Sequence, residues 1–248
     1  CFDGTAYHGF QMQQNALSIC QVVQDAIEKV LGVRQDIKPC SRTDTGVHAN
    51  GFCFSMFMEK NIPCEKLPLA LNVYLPRDIR VLKAEKVADD FHARYSSLGK
   101  RYIYKVKIAN IDTPFDDKYV YRMYKPLDVK AMEQSAKFLV GSHDFASFMS
   151  AGSKIVDSVR EIYRFTVCQK DDIIYFTVSA NGFLYNQMRI MVGTLIEVGT
   201  HRMEIAKVGE ILCGKNRSLA GDKIPAKGLF LDKVFYNTKD IETEKLNF

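Results

Sequence analysis

The sequence has no C-x-x-C pair. No two of its seven cysteines, at positions 1, 20, 40, 53, 64, 168 and 213, stand closer than eleven residues apart. That absence excludes a zinc module of the usual ligand spacing and a secreted disulfide framework, and it points to a reducing, cytoplasmic setting. A membrane-spanning run is also lacking. The longest stretch free of Asp, Glu, Lys and Arg, Gly4 to Gln24, carries five glutamines, too polar for a bilayer core. No signal peptide, low-complexity tract or long linker is visible. The chain opens on Cys1 rather than Met, inside what reads as a strand, so a few preceding residues are expected to be missing. A strong charge bias is absent too: 34 Lys+Arg against 29 Asp+Glu leave +5. Such a mild excess permits a nucleic-acid partner without demanding one.

What is present is an ordinary globular chain of 248 residues, 47% hydrophobic and 25% charged. That length suits one large domain or two modest ones and buries a full core without a disulfide or metal staple. The spacing predicts a helix over 18–31, with Ile19, Val22, Val23, Ala26, Ile27, Val30 and Leu31 on one apolar face. Ser18 with Gln21 is a capping-box pattern, and Gly32 fits the stop. A short polar strand is expected at 35–40, an aromatic strand at 51–58, another at 79–88, and a half-buried one at 101–109, where basic and apolar residues alternate. Asp128 is placed to cap a helix running to about Val140 and ended by Gly141. Strands near 160–168 and 173–180, helices at 185–198 and 203–213, and a last strand at 229–236 complete the reading, with a charged tail from Asn237 expected to fray. Strands joined mostly as hairpins favour an α+β fold with antiparallel sheet over a doubly wound parallel one.

The segment Ser41-Arg42-Thr43-Asp44-Thr45-Gly46-Val47-His48-Ala49 stands out between the polar and aromatic strands. Gly46 allows a sharp turn beside Asp44. Taken alone, such a loop is most often a turn in which Asp bonds backbone and Arg is a solvated charge, and a single His such as His48 is more often structural than catalytic.

The string resembles the active-site motif of the TruA-type tRNA pseudouridine synthases, roughly G-R-T-D-x-G-V-H-A, with Ser41 in place of the usual glycine. Five further segments resemble the family in order. They are Phe2-Asp3-Gly4-Thr5 through Gly9-Phe10-Gln11; Phe91 to Ser96 followed by Lys100-Arg101-Tyr102-Ile103-Tyr104; Gly141 to Phe148; Gly182 to Arg189; and Pro225 to Leu231. Six motifs spread from residue 2 to residue 231 are far more specific than any one of them.

The resemblance implies two related α+β domains, 1–93 and 94–248, each a mainly antiparallel sheet backed by helices, with a basic cleft between them. It implies a homodimer that needs no cofactor or metal and no membrane. It implies an isomerase that turns uridine into pseudouridine at positions 38, 39 and 40 in the anticodon arm of tRNA. Asp44 is then the nucleophile or base, ionised in a water-excluding pocket, and Arg189 the cation that keeps it charged against the cost of burial. Arg42 displaces the target base, and Tyr102 stacks on the extruded uracil. Arg94 and Leu229 join Tyr102 and Arg42 in binding substrate. On the residues alone, Tyr102 reads as a core side chain of an alternating strand, and Arg189 as an arginine reaching to water from an apolar helix. Arg94, Lys100, Arg101, Lys105 and Lys107 are the basic candidates for phosphate contact near Tyr102. Two other functions stay open: a non-catalytic RNA-binding protein on the same scaffold, and a glycosidase releasing uracil, for which a second carboxylate or an activated water is wanted.

Overall fold

A computed structural model of the chain describes residues 1–60, 62–111, 113–150, 152 and 157–246. The chain divides into two compact units. The first comprises Cys1–Ser97 together with Leu231–Tyr236, and the second Leu98–Phe230 with Asn237–Phe248.

In the first unit, helix α1 (Ile19–Leu31) begins where the Ser18 side chain accepts a hydrogen bond from the Gln21 amide, and it stops at Gly32, whose φ of 79° is left-handed. Ile19, Val23, Ala26, Ile27 and Leu31 are buried; Val22 and Val30, expected on the same face, are only half-buried, and the polar Gln24 is buried instead. Gln24 manages this because its amide donates to the Gln35 carbonyl at 2.8 Å. Strand β1 (Ile37–Pro39) pairs antiparallel with β3 (Phe54–Met56), Ile37 opposite Met56. The two-residue β2 (His48–Ala49) lies between them in sequence. Helix α2 (Leu67–Tyr74) packs against α1. No apolar periodicity announces α2, since its burial rests on Leu67, Pro68 and Leu71 alone.

Two expectations for this unit need correction. The aromatic strand is three residues long rather than spanning 51–58. No strand forms over 79–88. Ile79 makes a single bridge to Phe2, and beyond it the Asn72 side chain takes both backbone groups of Val81, donating to its carbonyl at 2.8 Å and accepting from its amide at 2.9 Å. A side chain that satisfies the backbone removes the need for a ladder partner.

The second unit is built on β4 (Gly99–Ile108), followed by β5 (Tyr121–Met123), α3 (Val129–Ala136), β6 (Gly141–Asp144), β7 (Val159–Lys170) and β8 (Ile173–Ala180). Its sheet runs β4-β8-β7-β6 with antiparallel neighbours, and β5 pairs with the end of β4 in parallel, Val106 opposite Tyr121. The sheet is therefore mixed, within an α+β fold. Asp128 caps α3 by accepting from the Ala131 amide. Helix α4 (Gln187–Gly199) is buried almost all round, as a helix apolar on every side must be. Helix α5 (Lys207–Gly214) follows.

Strand β9 (Leu229–Phe235) starts in the second unit and, from Leu231, belongs to the first. The tail expected to fray is a helix, α6 (Thr238–Leu246). It is held by Glu244, 8% exposed, which accepts from Arg101 Nη1 at 2.9 Å and from the Ser179 hydroxyl at 2.5 Å. No helix among the described residues is long and apolar enough to cross a membrane.

Candidate active site

The candidate residues fall in both units: Arg42, Asp44 and Arg94 in the first, Tyr102, Arg189 and Leu229 in the second.

In the first unit, the opening motif folds directly onto the Asp44 loop. The Phe2 amide donates to the Ala49 carbonyl and the Ala49 amide donates back, at 2.8 and 3.0 Å. The Phe10 amide donates to the Thr43 carbonyl at 3.1 Å, and the Gly46 amide to the Tyr7 carbonyl at 3.3 Å. The two chains run so close that a Cβ on Gly4 would lie 2.0 Å from the Val47 carbonyl oxygen, and one on Gly9 would lie 2.4 Å from that of Thr43. Glycine at both positions is therefore what lets the segments meet. Gly46, at φ 75°, makes the turn two residues past Asp44, and the Val47 amide closes it onto the Asp44 carbonyl at 3.2 Å. Asp44 itself is half-buried and Arg42 is exposed.

His48 sits beneath this loop, 1% exposed. Its Nδ1 lies 3.1 Å from the Gly4 amide nitrogen and 3.1 Å from Asp3 Oδ1. One ring nitrogen cannot accept from the amide and donate to the carboxylate at once. The Gly4 amide always carries its proton, and Asp3 Oδ1 already accepts from the Thr5 amide and hydroxyl, so the acceptor role fits Nδ1. His48 thus ties the opening segment to the Asp44 loop. The Tyr7 hydroxyl donates to Asp78 at 2.8 Å, and burial together with that carboxylate pushes its pKa well above the usual phenol range. The Thr43 hydroxyl, directly before Asp44, is buried without a hydrogen-bond partner among the described residues. Arg94 is exposed, with its guanidinium 5.9 Å from the centre of the Tyr95 ring.

In the second unit, Tyr102 is 7% exposed on β4 and meets Phe183 edge-on, ring centres 4.8 Å apart. Arg189, in the first turn of α4, is half-buried. Its Nε donates to the Ile224 carbonyl at 2.7 Å and its Nη1 to Asn186 Oδ1 at 3.0 Å. Asn186 takes the left-handed conformation at the start of α4, φ 61°, and donates in turn to the Ser150 hydroxyl. Two residues that single-residue reasoning passes over belong to this frame. Tyr104 is fully buried and donates to the Pro225 carbonyl at 2.6 Å; burial drives its pKa far up, with Arg189 pulling the other way. Gly228 admits the Tyr104 ring, since a Cβ there would lie 2.9 Å from it. Leu229 follows, buried at the start of β9. The sequence signal for both was the period-2 burial of β4 and the Pro225–Leu231 motif.

The basic residues of β4 divide between its two faces. Side chains alternate along a strand, so Arg101, Lys105 and Lys107 point to the face opposite Tyr102 and Tyr104. Arg101 is paired with Glu244, Lys107 with Asp116 and, at 3.3 Å, Asp172, and Lys105 lies 4.1 Å from the centre of the Phe230 ring. Lys100 alone of the β4 cations has the parity of Tyr102. Among the described residues no group of three or more His, Cys, Asp and Glu is placed to hold a metal ion. A cavity of about 410 Å³ in the second unit is lined by Lys125–Asp128 and Gly199–His201, and none of the candidate residues borders it.

The family pattern of tRNA pseudouridine synthase matches residues 1–96 and 135–237. A protein of Clostridium kluyveri named tRNA pseudouridine synthase A is 42% identical over 235 residues, covering 95% of this chain and 96% of that one. A protein of the same name from Thermoanaerobacter sp. strain X514 is 43% identical with the same coverage. A solved Cbf5-Nop10-Gar1 complex matches at a TM-score of 0.36 and 15% identity, over 78% of this chain and 44% of that one, too weak a likeness to bear on the fold. The segments that pack around Asp44 and those that bond Arg189 lie within the matched residues, whereas β4 with Tyr102 and Tyr104 lies outside them, and the chain belongs to the tRNA pseudouridine synthase family, isomerases of uridine in tRNA.

Proposed function

We propose that the protein converts uridine to pseudouridine at positions 38, 39 and 40 in the anticodon arm of tRNA, and that Asp44 starts the reaction. The observation that carries this reading is the double clamp on the Asp44 loop. Backbone hydrogen bonds from Phe10 and to Tyr7, with glycine-only approaches at Gly4 and Gly9, fix the loop backbone on both sides of a half-buried carboxylate. A carboxylate held on so rigid a base is pre-positioned for chemistry.

The uracil atoms are shielded in a stem, so the nucleotide must first be extruded, at a cost of a few kcal/mol. Asp44 then attacks C1′ or removes the C2′ proton. In the first route the bond from C1′ to N1 breaks as the ester forms, and C5 of the turned uracil anion displaces the Asp44 carboxylate from C1′; in the second, loss of the C2′ proton expels the uracil anion and leaves a glycal, C5 adds to C1′, and Asp44 returns the proton to C2′. In both routes C5 then gives up its proton and N1 takes one up. The composition of the nucleotide is unchanged, so the chemistry calls for neither a redox cofactor nor a co-substrate. Arg189 is the cation that keeps Asp44 ionised; two of its donors are tied to Ile224 and Asn186, which sets the direction of the guanidinium before substrate arrives. Arg42, exposed two residues before Asp44, takes the place of the extruded base. Tyr102, steadied by Phe183, is the platform for the uracil ring and a proton acceptor at C5. Arg94 grips a phosphate, and Leu229 lines the base pocket.

The same reading assigns the carboxylate to an N-terminal domain, 1–93, and Tyr102 with Arg189 to a related domain, 94–248, across a basic cleft. It takes the working form to be a cytoplasmic homodimer without metal or organic cofactor. The test is pseudouridine mapping of unmodified tRNA incubated with the purified protein. Modification confined to positions 38–40, lost in Asp44→Asn while tRNA affinity stays within a few fold, is the expected result, because phosphate contacts rather than the carboxylate carry affinity. Undiminished turnover by Asp44→Asn refutes the assignment.

A further inference from the structure

The antiparallel register of β1 and β3 places Pro39 opposite Phe54, so one step further Cys40 stands opposite Cys53. The Cys40 amide donates to the Cys53 carbonyl at 2.9 Å, which makes the two a hydrogen-bonded cross-strand pair. Such a pair has its Cα atoms roughly 5.5 Å apart, within the range of about 4.4–6.8 Å that a disulfide spans. The side chains turn the same way. The return bond of the ladder is replaced by one from the Cys53 amide to Cys40 Sγ, at 3.4 Å. The Cys53 thiol donates to the Phe54 carbonyl at 4.0 Å.

Between these cysteines runs the whole Arg42–Asp44 loop with β2. We propose that Cys40 and Cys53 form a reversible disulfide site that closes the catalytic loop into a covalent ring. The ring itself follows from register and contact; only its bearing on turnover rests on the function assigned above to Asp44. The oxidant is a small-molecule disulfide such as oxidised glutathione. Cys53 is half-buried, whereas Cys40 is fully buried, so the accessible thiol reacts first. Burial raises the pKa of the Cys53 thiol, so the reaction runs through a minor thiolate fraction, which attacks one sulfur of oxidised glutathione while the electron pair of that bond leaves on the other sulfur as glutathione thiolate. Cys40 gives its proton to solvent and attacks the Cys53 sulfur of the mixed disulfide, expelling the second glutathione thiolate. Two protein thiols are oxidised to one disulfide, and one oxidised glutathione is reduced to two thiols. Closing the bond draws Cys40 Sγ off the Cys53 amide and the Cys53 sulfur off the Phe54 carbonyl, which shifts the stem beneath Arg42 and Asp44.

The experiment treats the full chain with oxidised glutathione, quenches free thiols, and maps peptides by mass spectrometry before and after dithiothreitol. The expected result is a linked peptide pair containing Cys40 and Cys53, a melting temperature raised by several degrees, and a several-fold fall in turnover that dithiothreitol reverses. Cys53→Ala and Cys40→Ala should fold, turn over in the absence of oxidant, and show neither the linked pair nor the fall. Recovery of both cysteines unlinked, while the exposed Cys168 and Cys213 are modified, overturns the disulfide. A linked pair with unchanged turnover overturns its hold on the loop, and it does so without touching the role of Asp44.

Discussion

Replacing Gly9 by alanine tests how much the active loop depends on its clamp. Two costs arise, and Gly32 separates them. Gly32 has nearly the same left-handed backbone, φ 79° against 81°, but a Cβ there meets only Lys60 Nζ, at 3.8 Å. Gly32→Ala therefore carries the left-handed penalty alone, about 1–2 kcal/mol, partly offset by the roughly 0.4–1 kcal/mol that alanine gains by restricting the unfolded chain. A net loss of ~1 kcal/mol is expected. At Gly9 the new Cβ also falls 2.4 Å from the Thr43 carbonyl oxygen, where ordinary contact begins at 3.4 Å. The carbonyl must retreat by the 1 Å difference, and forced overpacking costs a further ~1–3 kcal/mol. Urea unfolding should place Gly9→Ala about 2–4 kcal/mol below wild type, by the sum of those two effects. The retreating carbonyl belongs to the residue before Asp44, so single-turnover pseudouridine formation, measured where the variant is fully folded, should drop by up to about 100-fold. Gly32→Ala should turn over like wild type. Equal stabilities and equal rates for the two variants would show that the loop moves aside freely, and that rigidity is not what the opening motif supplies.

Three further outcomes follow from the geometry. Tyr102→Phe should retain more activity than Tyr102→Ala, because stacking on an aromatic ring is worth about 1–3 kcal/mol per base; equal near-wild-type rates in single-turnover assays would make Tyr102 a packing residue. Glu244→Ala should lower stability by roughly 1–3 kcal/mol by stranding Arg101 and Ser179, whereas the exposed neighbour Glu242→Ala should change the urea midpoint little. The Ser158 hydroxyl and then Lys215 hold the Asp144 carboxyl below its ordinary range. A depressed folded-state pKa stabilises above the unfolded-state value, and that stabilisation is lost as pH falls through the folded value. The deficit of Ser158→Ala should thus be full at neutral pH and shrink on acidification; a deficit independent of pH would place its cause elsewhere.

Much of this architecture could be read from the residues because local and tertiary demands agree. Helix α1 is the clearest instance: Ser18 and Gly32 set its limits and its apolar face does the packing. β7 and β8 carry the period-2 pattern of strands covered on one side. Where a distant group settles the matter, reading along the chain fails. The segment after Ile79 has the composition of a strand, but Asn72 takes its backbone. The tail looks soluble and unstructured, and α6 exists because Glu244 finds Arg101 and Ser179 more than sixty residues away. Arg101, Lys105 and Lys107 stand next to Tyr102 in sequence, yet the alternation of the same strand sets them on its opposite face. At the candidate site, only the fold reveals that the opening motif packs on the Asp44 loop and that Asn186 and Ile224 hold Arg189.

The late return of β9 to the first unit sets an order on how the protein is made. Phe235, fully buried, and Leu231 belong to a unit whose other residues end at Ser97. A ribosome adding roughly 5–20 residues per second needs on the order of ten seconds to travel from one to the other. Throughout that interval the body that holds Asp44 is synthesised but unfinished, its place for the last strand open to water. The nascent chain therefore carries the Asp44 loop early and the strand that completes its unit almost last, and a chain truncated anywhere before residue 231 holds the loop without that strand.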